Sequence, residues 1–213
     1  MTITEILLPV LKGDPESLSA YNSQSAQISK HLAGTSGLQF FAHGTIVFDG
    51  GNPVAPESGR TILIIEWDTL SSLHAFYPHS AAFQAFLGLM KPFLAQGDTP
   101  KVFEAVTSAA KAASAPITQI VKVQGRSDTE ELWTRLQAAL SSDAKHQGVN
   151  TVFAHAVGVE GQEGEFMGTI GWQSLEDYER VRTDETVRSI MRDLGAGHDG
   201  VDLVIRFERI TVS

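Results

Sequence analysis

Apolar positions along the chain fall into two successive series of short runs, and both series follow one order. Residues 3–10 are apolar enough to predict a buried strand. Asp14-Pro15-Glu16 predicts a helix start, with an acid at the cap, Pro in the first turn and Glu behind it. Leu18, Tyr21, Ile28 and Leu32 give that helix one apolar side, and Gly34 can end it. The β-branched and aromatic runs 38–48 and 61–67 flank a Gly/Pro loop and predict a hairpin. A short helix over 70–76 follows, then a longer one over 80–94 with Phe83, Phe86, Leu87 and Met90 at helical spacing. A strand over 101–106 completes the series. The second series predicts a strand over 117–123 and a helix opened by Ser127-Asp128-Thr129-Glu130 and carried by Leu132, Trp133, Leu136 and Leu140. A hairpin over 151–160 and 165–172, helices over 175–181 and 185–194, and a strand over 201–210 finish it.

Local identities support a duplication. Phe41-Ala42-His43 recurs as Phe153-Ala154-His155, offset by 112 residues. Ile65-Glu66-Trp67-Asp68-Thr69-Leu70 recurs as Ile170-Gly171-Trp172-Gln173-Ser174-Leu175, offset by 105. A longer connection over 49–60, with its Gly-Gly-Asn-Pro, accounts for the difference. Residues 107–115 are small and polar, with little to bury, and read as a linker. The expected organisation is an α+β unit over 1–106, a linker over 107–116 and a second unit over 117–213. Each unit has ferredoxin-like βαββααβ order, and the two pack sheet to sheet as a dimer joined in one polypeptide.

Composition narrows the partners. A chain of 213 residues suits one domain or two of about 100 residues. A formal net charge of −9 argues against nucleic acid or an anionic membrane as the main partner. With no cysteine there is no disulfide framework and no thiol nucleophile. The first residues lack a basic stretch and carry Glu5, which does not read as a signal peptide. No run approaches the roughly 20 apolar residues of a membrane span. A soluble, cytoplasmic protein is expected. There is no phosphate-binding glycine loop after a strand and no Gly-x-Ser-x-Gly elbow; Gly195-Ala196-Gly197 follows a helix and reads as its end. Seven histidines lack a tight ligand spacing, so no metal is expected.

The order βαββααβ, with Trp at the end of the third strand and a helix behind it, resembles the dimeric α+β barrel superfamily. That group includes the antibiotic-biosynthesis monooxygenases and the stress-responsive barrel proteins. The residues that carry the likeness are Glu66-Trp67-Asp68-Thr69-Leu70, His74-Ala75-Phe76, Ser80-Ala81-Ala82-Phe83, Phe86 and Pro92-Phe93, with Trp172 to Leu175 in the second copy. The resemblance implies helices outside the paired sheets and a small-molecule pocket between each sheet and its own helices. It also implies a cofactor-independent monooxygenase or oxidase acting on an aromatic or polyketide-like substrate. The same pocket suits a cyclase, decarboxylase or isomerase, and a non-catalytic binding or stress-response protein is the rival of another class. Haem-degrading members carry a His on the helix after the Trp, where Phe86 stands here, and an Asn on the first strand, which here runs Ile6-Leu7-Leu8-Pro9. No cofactor is expected on that ground.

The halves differ in charge: 14 charged residues over 1–108 against 27 over 109–213. The first half also holds Phe40, Phe41, Phe48, Phe76, Phe83, Phe86 and Phe93. An apolar pocket needs such walls, so the working site is expected in the first half and a mainly structural role in the second. His43, mid-strand in an apolar run, is the candidate base, with His79 and His74 beside it as candidates at the helix junction. The second copy has Glu179, Arg182 and Asp184 where the first has His74, Tyr77 and His79. Trp67, Tyr77, Phe41, Phe76, Phe83, Phe86 and Tyr21 are the expected substrate contacts. The histidine recurs in both copies, as His43 and His155, which favours a histidine that fixes the duplicated fold, since only one half need be active. The partner expected is a hydrophobic or aromatic small molecule, with further homodimerisation left open.

Overall fold

The computed structural model describes residues 1–142, 149–196 and 200–208. Eight strands carry the architecture: β1 (Ile3–Leu7), β2 (Leu38–Asp49), β3 (Thr61–Trp67), β4 (Lys101–Ala105), β5 (Ile117–Gln124), β6 (Thr151–Val159), β7 (Glu165–Trp172) and β8 (Val201–Glu208). The described helices are α1 (Pro15–Lys30), α2 (Leu70–Phe76), α3 (Ala81–Met90), α4 (Ala110–Ala113), α5 (Thr129–Ser142), α6 (Leu175–Val181) and α7 (Glu185–Leu194). The strands pair antiparallel in the order β8-β5-β7-β6-β4-β1-β3-β2, and β2 returns to β8. The sheet is therefore a closed barrel without free edges. Each half contributes four strands, and the second strand of each half pairs with the fourth strand of the other.

Strand alternation divides the core into three layers. Ile6, Ile62, Ile64 and Phe103 of the first half meet Ile120, Met167, Leu203 and Ile205 of the second inside the barrel. The alternate residues Ile3, Leu63, Ile65 and Trp67 turn outward to α1, α2 and α3. Val121, Val123, Ile170 and Trp172 do the same toward α5, α6 and α7. Matching helix caps accompany the matching strands: Thr69 Oγ1 accepts from the Ser72 N–H, and Ser174 Oγ from the Asp177 N–H. The expected pair of βαββααβ units, joined sheet to sheet, is what the fold shows.

Three local differences have plain causes. The first strand stops at Leu7, because Pro9 has no N–H to extend the ladder; the Leu8 N–H donates instead to Asp98. The helix expected over 80–94 ends at Met90, with Pro92 beyond it in a 3₁₀ turn. The linker is packed rather than loose: Ala109, Ala112 and Ala113 are buried. The Glu66 carboxylate holds it by accepting from Ser108 Oγ and the Ala109 N–H at 2.7 and 2.6 Å. Residues 209 and 210 of the last expected strand, and 197–199 of the glycine-containing run, lie outside the described residues.

Each half also reaches over the other. The β2–β3 connection turns at Gly50 and Gly51, both with left-handed φ (55° and 77°). Its tip lies against the second half: the Gly50 N–H donates to the Asp202 carbonyl and Arg182 Nη1 donates to the Gly51 carbonyl, both at 2.9 Å. In return, Glu160 beyond β6 pairs with His74 on α2 at 2.9 Å.

Candidate functional site

The residues expected from sequence converge on the layer between the first half's sheet and its helices. Phe41, Trp67, Phe76, Phe86 and Tyr21 form one buried cluster there, with Tyr77 and Phe83 packed against it. His43 faces the same layer, is 2 % exposed and meets the edge of the Tyr21 ring at 5.1 Å. Burial pushes its imidazole down to about 4, so it is neutral at pH 7. His74 and His79 lie apart from this layer. Both are exposed, and His74 is engaged by Glu160. His155 occupies the position of His43 in the second half, stacked on Phe166 and within 3.3 Å of Thr107 Oγ1.

The same layer holds a group that sequence reasoning misses. Glu5 sits on β1 opposite Ile65, on the helix-facing side, and is buried. Trp67 Nε1 donates to its Oε2 at 2.8 Å. Burial pushes this carboxyl up to about 7, against the lowering effect of the indole N–H.

The second half is built on the same register, yet it is hollow. In it Gln119 stands where Glu5 stands, Trp172 where Trp67 stands, and Tyr178 where Leu73 stands. Counting from matched caps, Val181 replaces Phe76, Val187 replaces Phe83 and Ile190 replaces Phe86. Three rings give way to three smaller aliphatic side chains. A cavity of about 290 Å³ lies between this sheet and α5, α6 and α7. Its apolar wall includes Leu136, Leu140, Ile170, Val187 and Met191. Elsewhere in this half the sheet is closely covered: Trp133 lies so near Gly168 that a Cβ there would come within 2.4 Å of the indole.

Polar groups converge on the cavity. Trp172 lines it, is 2 % exposed, and its Nε1 has no hydrogen-bond partner among the described residues. Gln119 Nε2 does not serve a tryptophan but donates to Asp202 Oδ1 at 2.7 Å. Burial raises the Asp202 carboxyl above its ordinary value; the Gln119 N–H lowers it, Asp49 raises it, and Arg182 lowers it. Burial likewise raises the Tyr178 phenol, with Asp202 adding to the shift. Arg182 stands at the mouth over the rings of Phe48 and Tyr178, 5.5 and 6.0 Å from their centres. The arrangement offers a proton acceptor, an indole and aromatic surface around one half-open cavity. Glu5 and Asp202 share a signal that sequence could have supplied: each is a carboxylate interrupting an apolar run, over 3–7 and over 201–205. Among the described residues no three His, Asp or Glu side chains gather as a metal-ligating set. None of the described helices is long and apolar enough to cross a membrane.

No protein-family model and no curated protein sequence matches the chain. Solved structures do. An anthrone oxidase-like protein superposes with a TM-score of 0.65 at 14 % identity, covering 98 % of this chain and 92 % of that one. A mutant chlorite dismutase from Candidatus Nitrospira defluvii superposes at 0.61 and 11 % identity, covering 98 % and 91 %. A protein assigned as a monooxygenase from Lactobacillus acidophilus NCFM gives 0.59 and 10 %, covering 97 % and 93 %. The likeness is one of fold, and the fold is that of the dimeric α+β barrels.

Proposed function

We propose that this chain, a dimeric α+β barrel folded from one polypeptide, is a cofactor-independent enzyme that oxygenates an aromatic or polyketide-like small molecule in the cavity of its second half. One observation carries the reading: a part-buried carboxyl and a tryptophan whose indole N–H has no partner among the described residues line the same cavity. A fold alone assigns no activity, but solved neighbours described as an anthrone oxidase-like protein and a monooxygenase agree with it. The first-half layer, where sequence reasoning looked for the site, is occupied by its own aromatic side chains.

The chemistry asked of the protein is modest. A methylene flanked by rings and a carbonyl is weakly acidic. Asp202, made more basic by burial, accepts its proton. Trp172 Nε1 donates to the oxygen on which the resulting negative charge rests. The carbanion passes its electron pair to dioxygen, forming a carbon–oxygen bond and a peroxide. The peroxide takes the proton back from Asp202, and loss of water leaves the ketone. Overall, R₂CH₂ and O₂ give R₂C=O and H₂O, with dioxygen reduced and the methylene carbon oxidised. Leu136, Ile170 and Trp172 give the anion an apolar wall on its inner side.

The test is oxygen uptake with anthrone, corrected for its spontaneous oxidation. Uptake equal to product, with Asp202→Asn lowering turnover by about 10²–10⁴-fold and Trp172→Phe by about 10²-fold, is the expected result. Full turnover by a folded Asp202→Asn variant would remove this site from the reaction. Turnover of an activated methylene compound without oxygen uptake would leave an acid–base tailoring enzyme in its place.

A further inference from the structure

We propose that the second-half cavity takes a ligand bearing a carboxylate, held at the mouth by Arg182 while its rings enter the apolar interior. The inference rests on reading the cavity as a ligand site and adds the charge of the ligand. Three guanidinium groups, those of Arg182, Arg188 and Arg192, border the cavity. The protein carries a net charge of −9, so this local excess of cations runs against its overall balance. Arg188 and Arg192 share one carboxylate, Glu185, at 3.3 and 3.8 Å. Arg182 makes no ion pair among the described residues.

Arg182 is also the one whose direction is fixed. It donates to the Gly51 carbonyl and lies across Phe48 and Tyr178. That hydrogen bond uses one of its five N–H donors. A planar guanidinium held in this way matches a carboxylate through two parallel hydrogen bonds. Asp202, the acid among the lining residues, accepts a hydrogen bond from Gln119 and feels the charge of Arg182 without forming an ion pair with it. The corresponding residue in the first half is Tyr77, and no cluster of arginines stands there. The cation thus belongs to the half with the cavity. The volume, about 290 Å³, lies at the low end of the roughly 300–1,000 Å³ usual for ligand sites. It suits two or three fused rings with a short acidic substituent.

Two fluorescent probes of matched shape test this: anthracene-9-carboxylate and the uncharged 9-anthracenemethanol. The carboxylate should bind at least roughly tenfold more tightly, a difference of about 1.4 kcal/mol, and should weaken with added salt. Arg182→Gln should remove that advantage while leaving the alcohol within about threefold. Arg182→Lys, which keeps the charge without the planar fork, should fall between. Because Arg182 packs on two rings, each variant is first compared with the parent by thermal unfolding. If one fails to fold, Arg188→Gln, with a smaller loss confined to the carboxylate, replaces it. Equal binding of the two probes by the parent protein overturns the inference and leaves the cavity reading standing. Equal loss of both probes in folded Arg182→Gln also overturns it, since that marks a packing role. Binding of neither probe removes the cavity reading as well.

Discussion

The two halves of this molecule share a chain order, a register and paired tryptophans, yet they spend their buried volume differently. In the first half Phe76, Phe83 and Phe86 close the space between sheet and helices, and the indole N–H of Trp67 is taken up by Glu5. In the second, the smaller Val181 and Val187 line a cavity, Gln119 turns to Asp202, and the indole N–H of Trp172 has no partner among the described residues. The second copy gives up packing for a cavity between sheet and helices, whereas the first half's pocket of about 310 Å³ lies beside Phe76 where the end of α1 meets α2 and α3. The loss of contacts is a cost that a buried apolar wall does not itself repay.

The largest effects expected on this contrast concern the buried titratable groups of the first half. Glu5 is raised to about 7 in the fold and returns to its ordinary value on unfolding. Its contribution is fully present below pH 4.5 and is lost as pH rises toward 7, by roughly 3 kcal/mol. His43 is lowered to about 4. Its contribution is present above pH 6.5 and is lost as pH falls toward 4, by a similar amount of roughly 3 kcal/mol. The two slopes oppose each other and largely cancel in the parent protein. Denaturant unfolding between pH 4 and 7.5 should show Glu5→Gln gaining stability with rising pH and His43→Phe losing it. Parallel curves for both variants and the parent would mean that neither group is held as described.

A second manipulation exchanges the contrast directly. Val181→Phe with Val187→Phe restores the first half's residues to the second. Anthracene-9-carboxylate affinity should fall by about 100-fold, with any destabilisation held to roughly 1–3 kcal/mol because the rings enter existing space. Unchanged affinity would place the probe elsewhere.

Much of the fold was legible because it rests on periodicity. The repeated Phe-Ala-His and the paired Trp sites fixed the correspondence of the halves, and that correspondence is the register seen in β2–β3 and β6–β7. The site was less legible. Phenylalanines at 76, 83 and 86 have the composition of a pocket wall, but a ring can line a space or fill it, and only packing decides which. Arg182 was visible as the counterpart of Tyr77, yet its relation to Gly51 depends on a contact 131 residues distant in sequence. Asp202 and Gln119 meet only because β5 and β8 lie side by side.

The smallest effect belongs to the exposed contact between His74 and Glu160, one of the reaches of one half over the other. His74→Ala should change stability by no more than about 1 kcal/mol and leave probe binding in the second half unaltered. A larger loss would give the first half's helix junction a role that its exposure does not suggest.

Ligand is expected to enter the second half and not the first, and the three tryptophans report on this separately. Indole N–H resonances of Trp67, Trp133 and Trp172, assigned by single substitution, can be followed as anthracene-9-carboxylate is added. A large shift is expected for Trp172, which lines the cavity, and none for Trp67, whose N–H is bound to Glu5. A shifted Trp67 beside an unmoved Trp172 would contradict that expectation and return the site to the first half.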